Sequence, residues 1–98
     1  MKVTNSQLWE IVKREDDKDS MADYMRGLGY DAVLDVEAMM MYGREIVLYG
    51  EDAEPLATCI DDVQASWGGN KGDIELAINY MLGKDAFTDY LVAAIDAL

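Results

Sequence analysis

The stretch Gly29–Gly50, GYDAVLDVEAMMMYGREIVLYG, decides how the whole chain is read. Tyr30, Ala32, Leu34 and Val36 alternate with Asp31, Val33 and Asp35. A period of two predicts a strand with one apolar face and one mostly acidic face. Arg44–Tyr49 is β-branched and aromatic, which predicts a second strand. An antiparallel pair would leave Glu37–Gly43 as the connection, with Met39, Met40, Met41 and Tyr42 at its tip. A lone two-stranded hairpin is marginal in water, so helices must cover it or another chain must extend it. A five-helix reading stays open should Glu37–Tyr42 be helical, since methionine and alanine favour helix.

The flanking sequence reads as helices. Thr4 and Gln7 have capping-box spacing, and Val3 and Leu8 that of a hydrophobic staple, which starts a helix running to about Arg14. Glu15–Asp19 has no apolar residue and predicts a solvated turn. Ser20 is placed to cap a second helix, whose stripe is Met21, Tyr24, Met25 and Leu28 and whose stop is Gly29. Pro55 suits the first turn of a third helix carrying Leu56, Cys59, Ile60, Val63 and Trp67, ended by Gly68 and Gly69. Asp73 caps a fourth, with Ile74, Ala77, Ile78 and Met81, stopped at Gly83. Asp85 is expected to cap a fifth, with Phe87, Tyr90, Leu91, Ala94, Ile95 and Leu98. The expected fold is α+β and helix-dominated: about five helices packed with a two-stranded antiparallel β-hairpin, as one domain over residues 1–98.

Charge is the outstanding feature of the composition. Twenty acids face eight bases with no histidine, a formal charge of −12. Residues 1–50 hold ten acids and six bases, whereas 51–98 hold ten acids and two bases. Such a field repels nucleic acid and anionic membrane and attracts basic protein surfaces. No apolar run reaches membrane-spanning length, and Met1–Ser6 lacks the apolar centre of a signal peptide. With a single cysteine and no disulfide framework, a cytoplasmic setting is expected.

Much chemistry is excluded. Without histidine the chain lacks the commonest general base and metal ligand, and Cys59 falls on an apolar stripe. Asp16, Asp17 and Asp19 lie close together, but without the glycine and distal glutamate of a calcium loop. Gly68–Asp73 precedes a helix but has no Gly-Lys-Ser/Thr ending, and Asp73 would repel a phosphate there. No enzyme activity, no cofactor and no metal site are expected.

Two features remain for binding. Glu51, Asp52 and Glu54 precede Pro55, while Asp61, Asp62, Glu75, Asp89 and Asp96 fall off the apolar stripes of their helices. Acids one helical turn apart are roughly 6 Å apart, comparable to successive phosphates along a strand. A basic groove built for nucleic acid would release counterions to such a row as it does to DNA. The bland alternative is an acidic surface that serves solubility alone. The second feature is Met39, Met40, Met41 and Tyr42, with Trp67: an adaptable apolar interface, open to a second copy of the chain, or else a buried tip.

In size, acidity, lack of catalytic residues and expected compact make-up, the chain resembles the small acidic inhibitors that phages and mobile elements direct against host nucleases, the anti-CRISPR and anti-restriction proteins. The resemblance is to a class and rests on no motif. It implies a non-enzymatic inhibitor in the cytoplasm of a bacterial host, bound to the basic nucleic-acid-binding surface of a nuclease or effector complex. It implies contact with neither nucleic acid nor membrane. The alternative is an adaptor or assembly subunit using the Met/Tyr patch.

Overall fold

Gly29 carries a positive φ of 90° and separates two helices, not a helix and a strand. In a computed structural model, which describes residues 1–67 and 73–98, the whole of Tyr30–Tyr49 is one helix of 20 residues. The expected β-hairpin is therefore corrected: the described residues contain six α-helices, one 3-10 turn and no strand, so the fold is all-α and not α+β. The helices are α1 (Asn5–Val12), α2 (Lys18–Leu28), α3 (Tyr30–Tyr49), α4 (Leu56–Trp67), α5 (Ile74–Leu82) and α6 (Phe87–Asp96), with the 3-10 turn at Gly50–Asp52. The expected stop of the α4 helix at Gly68-Gly69 lies outside the described residues.

The reason is burial on every side. Each residue from Ala32 to Met40 is buried, the acids Asp35 and Glu37 included. A helix apolar all round shows no 3.6-residue stripe, and a short apolar run looks alike in helix and strand. Asp31 in the first turn suits the positive helix end, and the alanine, leucine and methionine content favours helix throughout. At about 1.5 Å per residue α3 is about 30 Å long, and it serves as the axis of the fold.

The other helices wrap this axis. α6 and α4 make the largest contacts with α3, followed by α5 and α2, while α1 packs on α6. The core is one contiguous cluster that includes Leu8, Ile11, Met21, Met25, Val33, Val36, Met39, Val63, Ile78, Met81 and Leu91. Each such side chain, fully buried, contributes roughly 1.5–3 kcal/mol.

Local signals acted much as their chemistry dictates. Thr4 and Gln7 form the reciprocal capping box, and Val3 and Leu8 are both buried. Asp73 caps α5 by accepting from the Leu76 N–H. Pro55 opens α4, its carbonyl accepting from the Thr58 and Cys59 N–H groups. Two caps differ. The cap of α2 lies three residues before Ser20, because Asp17 takes that place by accepting from the Ser20 N–H. Asp85 does not cap α6, whose cap position is Ala86 with no side-chain bond.

Gly43 shows how tightly α6 lies on the axis. A Cβ there would fall 1.7 Å from the Tyr90 carbonyl oxygen, a main-chain atom that cannot swing aside. Gly27, near the end of α2, has nothing within 4 Å of the same position. Gly43→Ala should destabilise the protein by about 1–3 kcal/mol through overpacking. Gly27→Ala should stabilise it by roughly 0.4–1 kcal/mol through the unfolded chain's lost freedom. Urea denaturation of both variants checks the opposite signs.

Candidate functional site

The eight acids read as one face are all exposed, but the packing divides them. α4, α5 and α6 each lay an inner side against α3, so their outer sides point away from a common axis. Glu75 on α5 reaches α2 instead, where Arg26 grips it through Nε–Oε2 at 2.6 Å and Nη2–Oε1 at 2.9 Å. The Arg26 guanidinium holds the Glu75 carboxyl below its ordinary range. Arg26 also bonds Asp23. Glu75 is thus spent on the α2–α5 seam, which Lys18 Nζ reinforces by donating to the Leu82 carbonyl at 3.2 Å. Asp89 and Asp96 lie on α6, away from α4.

Five of the eight remain together. Glu51, Asp52 and Glu54 fill the link from α3 to α4, and Asp61 and Asp62 follow on the first half of α4. Glu45, in the last turns of α3, joins them: its Oε1 accepts the Glu54 main-chain N–H at 3.2 Å. None of these six carboxylates is in an ion pair among the described residues. The next thiol senses them. Burial raises the Cys59 pKa, and the charges of Glu45, Asp62 and Glu54 raise it further. A buried, protonated thiol is a core side chain and a poor nucleophile.

The apolar surface lies elsewhere than the sequence suggests. Met39 and Met40 are interior, so of the two readings of the Met/Tyr patch the buried one holds there and the interface reading is corrected, while Met41 and Tyr42 are half-buried against the core. A helix turns its consecutive side chains in all directions, and here every direction meets a neighbour. Three successive exposed apolar residues are instead Val47, Leu48 and Tyr49, at 59%, 59% and 57% exposure, in the last turn of α3, whereas the other exposed ones (Met1, Trp9, Leu76, Tyr80 and Leu98) stand apart in the chain. That turn runs past the end of the core, so three successive side chains face water. The sequence reading placed them on the second strand of the hairpin, and no local signal distinguished strand from helix there. Only Gly50 separates them from Glu51 and Asp52 in the chain.

Two further carboxylates are inside. Asp35, 6% exposed, accepts the Lys2 main-chain N–H on Oδ2. Glu37, 4% exposed, accepts the Trp67 indole N–H on Oε2 at 2.8 Å, while its Oε1 is buried with no hydrogen-bond partner among the described residues. Trp67 is thereby half-buried and held, not a free anchor. Beside it a cleft of about 610 Å³ opens between the first half of α3 and the last half of α4. No helix among the described residues is long and apolar enough to cross a membrane.

Comparison of the chain with protein-family models, with curated proteins and with solved structures found no match.

Burial raises the Glu37 pKa above its ordinary value, only partly offset by the Trp67 bond. The native fold therefore binds this proton more tightly than the unfolded chain does. Its stabilising effect is complete below the ordinary carboxylate range and is lost as pH rises through the native pKa. Glu37→Gln removes the charge while keeping an acceptor for Trp67. The stability of this variant relative to the parent should rise from about pH 3.5 to about pH 8, as read from urea midpoints at both values.

Proposed function

We propose that the protein is a non-enzymatic binding protein of the inhibitor kind, which sets the acidic end of α3 and α4 on a basic, nucleic-acid-binding surface of a partner enzyme. The observation that carries this reading is the unneutralised run from Glu45 to Asp62. The run holds six carboxylates and no base, Arg44 standing just before it, and none of the six is ion-paired among the described residues. Elsewhere on the surface the structure does spend cations on acids, as at Glu10, Asp23 and Glu75. Clustered like charge weakens the fold by self-repulsion and strengthens attraction to a cationic surface.

Val47, Leu48 and Tyr49 add a second element to the same end. An apolar knob ringed by charge has the layout of a protein interface, in which a desolvated centre supplies affinity and a charged rim supplies orientation and rate. This narrows the contact to Glu45, Glu51, Asp52, Glu54, Asp61 and Asp62 around that knob. It favours a protein surface over a purely ionic stand-in for a phosphate row. The adaptor reading keeps the same knob but gives the acids no part in binding.

A panel of purified bacterial restriction and CRISPR nucleases, assayed for DNA cleavage and for binding, tests the proposal. At least one member should be bound and inhibited, with affinity falling steeply between low and physiological salt. Asp61→Lys with Asp62→Lys should weaken binding by about tenfold or more, and Leu48→Ser with Tyr49→Ser by a similar factor, without loss of helicity. Binding that ignores both salt and the charge reversals would favour the adaptor. Absence of binding across the panel at low salt would remove the inhibitor reading.

A further inference from the structure

A second site lies at the other end of the same helix pair. α3 and α4 run antiparallel: Glu45 meets the start of α4, whereas Glu37 meets Trp67 at its end. The cleft of about 610 Å³ therefore sits far from the acidic knob, and its volume is that of a small-ligand site. Its lining combines Asp31 and Asp35 with Tyr30 and Trp67 over an apolar floor of Leu34 and Ile60, and Met1, Lys2 and Gln64 complete it.

We propose that this cleft binds a guanidinium group carried on an aliphatic stem. Asp31 and Asp35 are one helical turn apart, so their carboxylates are roughly 6 Å from each other on one side of α3. Asp35 is held in place by the Lys2 main-chain N–H on Oδ2, and its Oδ1 accepts no hydrogen bond among the described residues. Lys2 contributes that N–H to the cleft, and its ammonium forms no ion pair among the described residues. The acids of the cleft are thus positioned but not neutralised by a side chain.

The shape selects the cation. A guanidinium is planar, offers five donors in a fixed fork and sheds water more readily than an ammonium. It can bond two carboxylates at once and lie against an aromatic ring. Trp67 supplies such a ring in a fixed place, because its indole N–H is tied to Glu37. The stem would lie along Leu34 and Ile60. A lysine ammonium could meet one carboxylate but would gain little from the flat walls.

The probes are N-acetyl-arginine amide, which stands for a peptide side chain, and agmatine, which stands for a free small molecule. In a Trp9→Phe background Trp67 is the only tryptophan, so its fluorescence reports the cleft directly. At least one probe should saturate with a dissociation constant on the order of 1 mM, as suits a ligand of this size, and the tighter one identifies the source. N-acetyl-citrulline amide, of the same shape without charge, should bind at least about tenfold more weakly. Asp31→Asn should cause a similar loss, whereas Asp16→Asn, an equal charge change outside the cleft, should cause none. Shifts in the amide NMR spectrum of the parent chain should centre on residues 31–35 and 60–67. Failure of both probes to saturate, equal binding of the citrulline compound, equal losses from Asp16→Asn and Asp31→Asn, or shifts centred elsewhere would each overturn the proposal. The knob variants leave this cleft intact, so its outcome is separable from that of the partner-binding proposal.

Discussion

Everything in this fold depends on α3 being surrounded. A 20-residue helix with no solvent face from Ala32 to Met40 needs neighbours on all sides, and among the described residues α2, α4, α5 and α6 supply them. Close approach is part of the arrangement. Gly43 lets the main chain of α6 lie against α3, and any side chain at that point would meet the Tyr90 carbonyl. The interior filled in this way is largely methionine, valine, leucine, isoleucine and alanine. Flexible methionines at 39 and 40 are buried there and can fit irregular space between helices.

A surrounded helix also forces its polar residues to be served inside. Asp35 and Glu37 are buried because of their position on α3, and each meets a donor from outside the helix. Asp35 holds the segment before α1, and Glu37 holds the end of α4. One Glu37 oxygen has no hydrogen-bond partner among the described residues, which makes this the least settled polar group of the described interior. These two contacts tie the first and the middle parts of the chain to the axis. They also give the cleft beside Trp67 its fixed wall.

The charge distribution follows from the same geometry. Helices arranged about an axis radiate their outer faces, so acids on α4, α5 and α6 do not form a single sheet of charge. What concentrates charge is chain connectivity: Glu45, Glu51, Asp52, Glu54, Asp61 and Asp62 follow one another around the α3–α4 corner. The last turn of α3 projects from that corner and exposes Val47, Leu48 and Tyr49. The acidic end and the cleft therefore belong to opposite ends of one antiparallel pair. Each is the seat of one of the two proposals made above, a cationic partner of protein size in one case and of side-chain size in the other.

Local chemistry was legible from the residues alone wherever it involved neighbours in the chain. The Thr4–Gln7 capping box, the Asp73 cap, the break at Gly29 and the apolar stripes of α2, α4, α5 and α6 follow from spacing and backbone preference. The surplus of acid, the absence of histidine and the shortage of bases after residue 50 are composition and need no coordinates. The conformation of Tyr30–Tyr49 was different. A segment buried on every side has no polar face to reveal its period, so alternation in its first seven residues imitated a strand. Whether Met39 and Met40 face water, whether Glu75 is free or bound to Arg26, and which acids share a surface all depend on residues distant in the chain. Such contacts exist only once the helices have assembled around α3, which is why packing had to settle them.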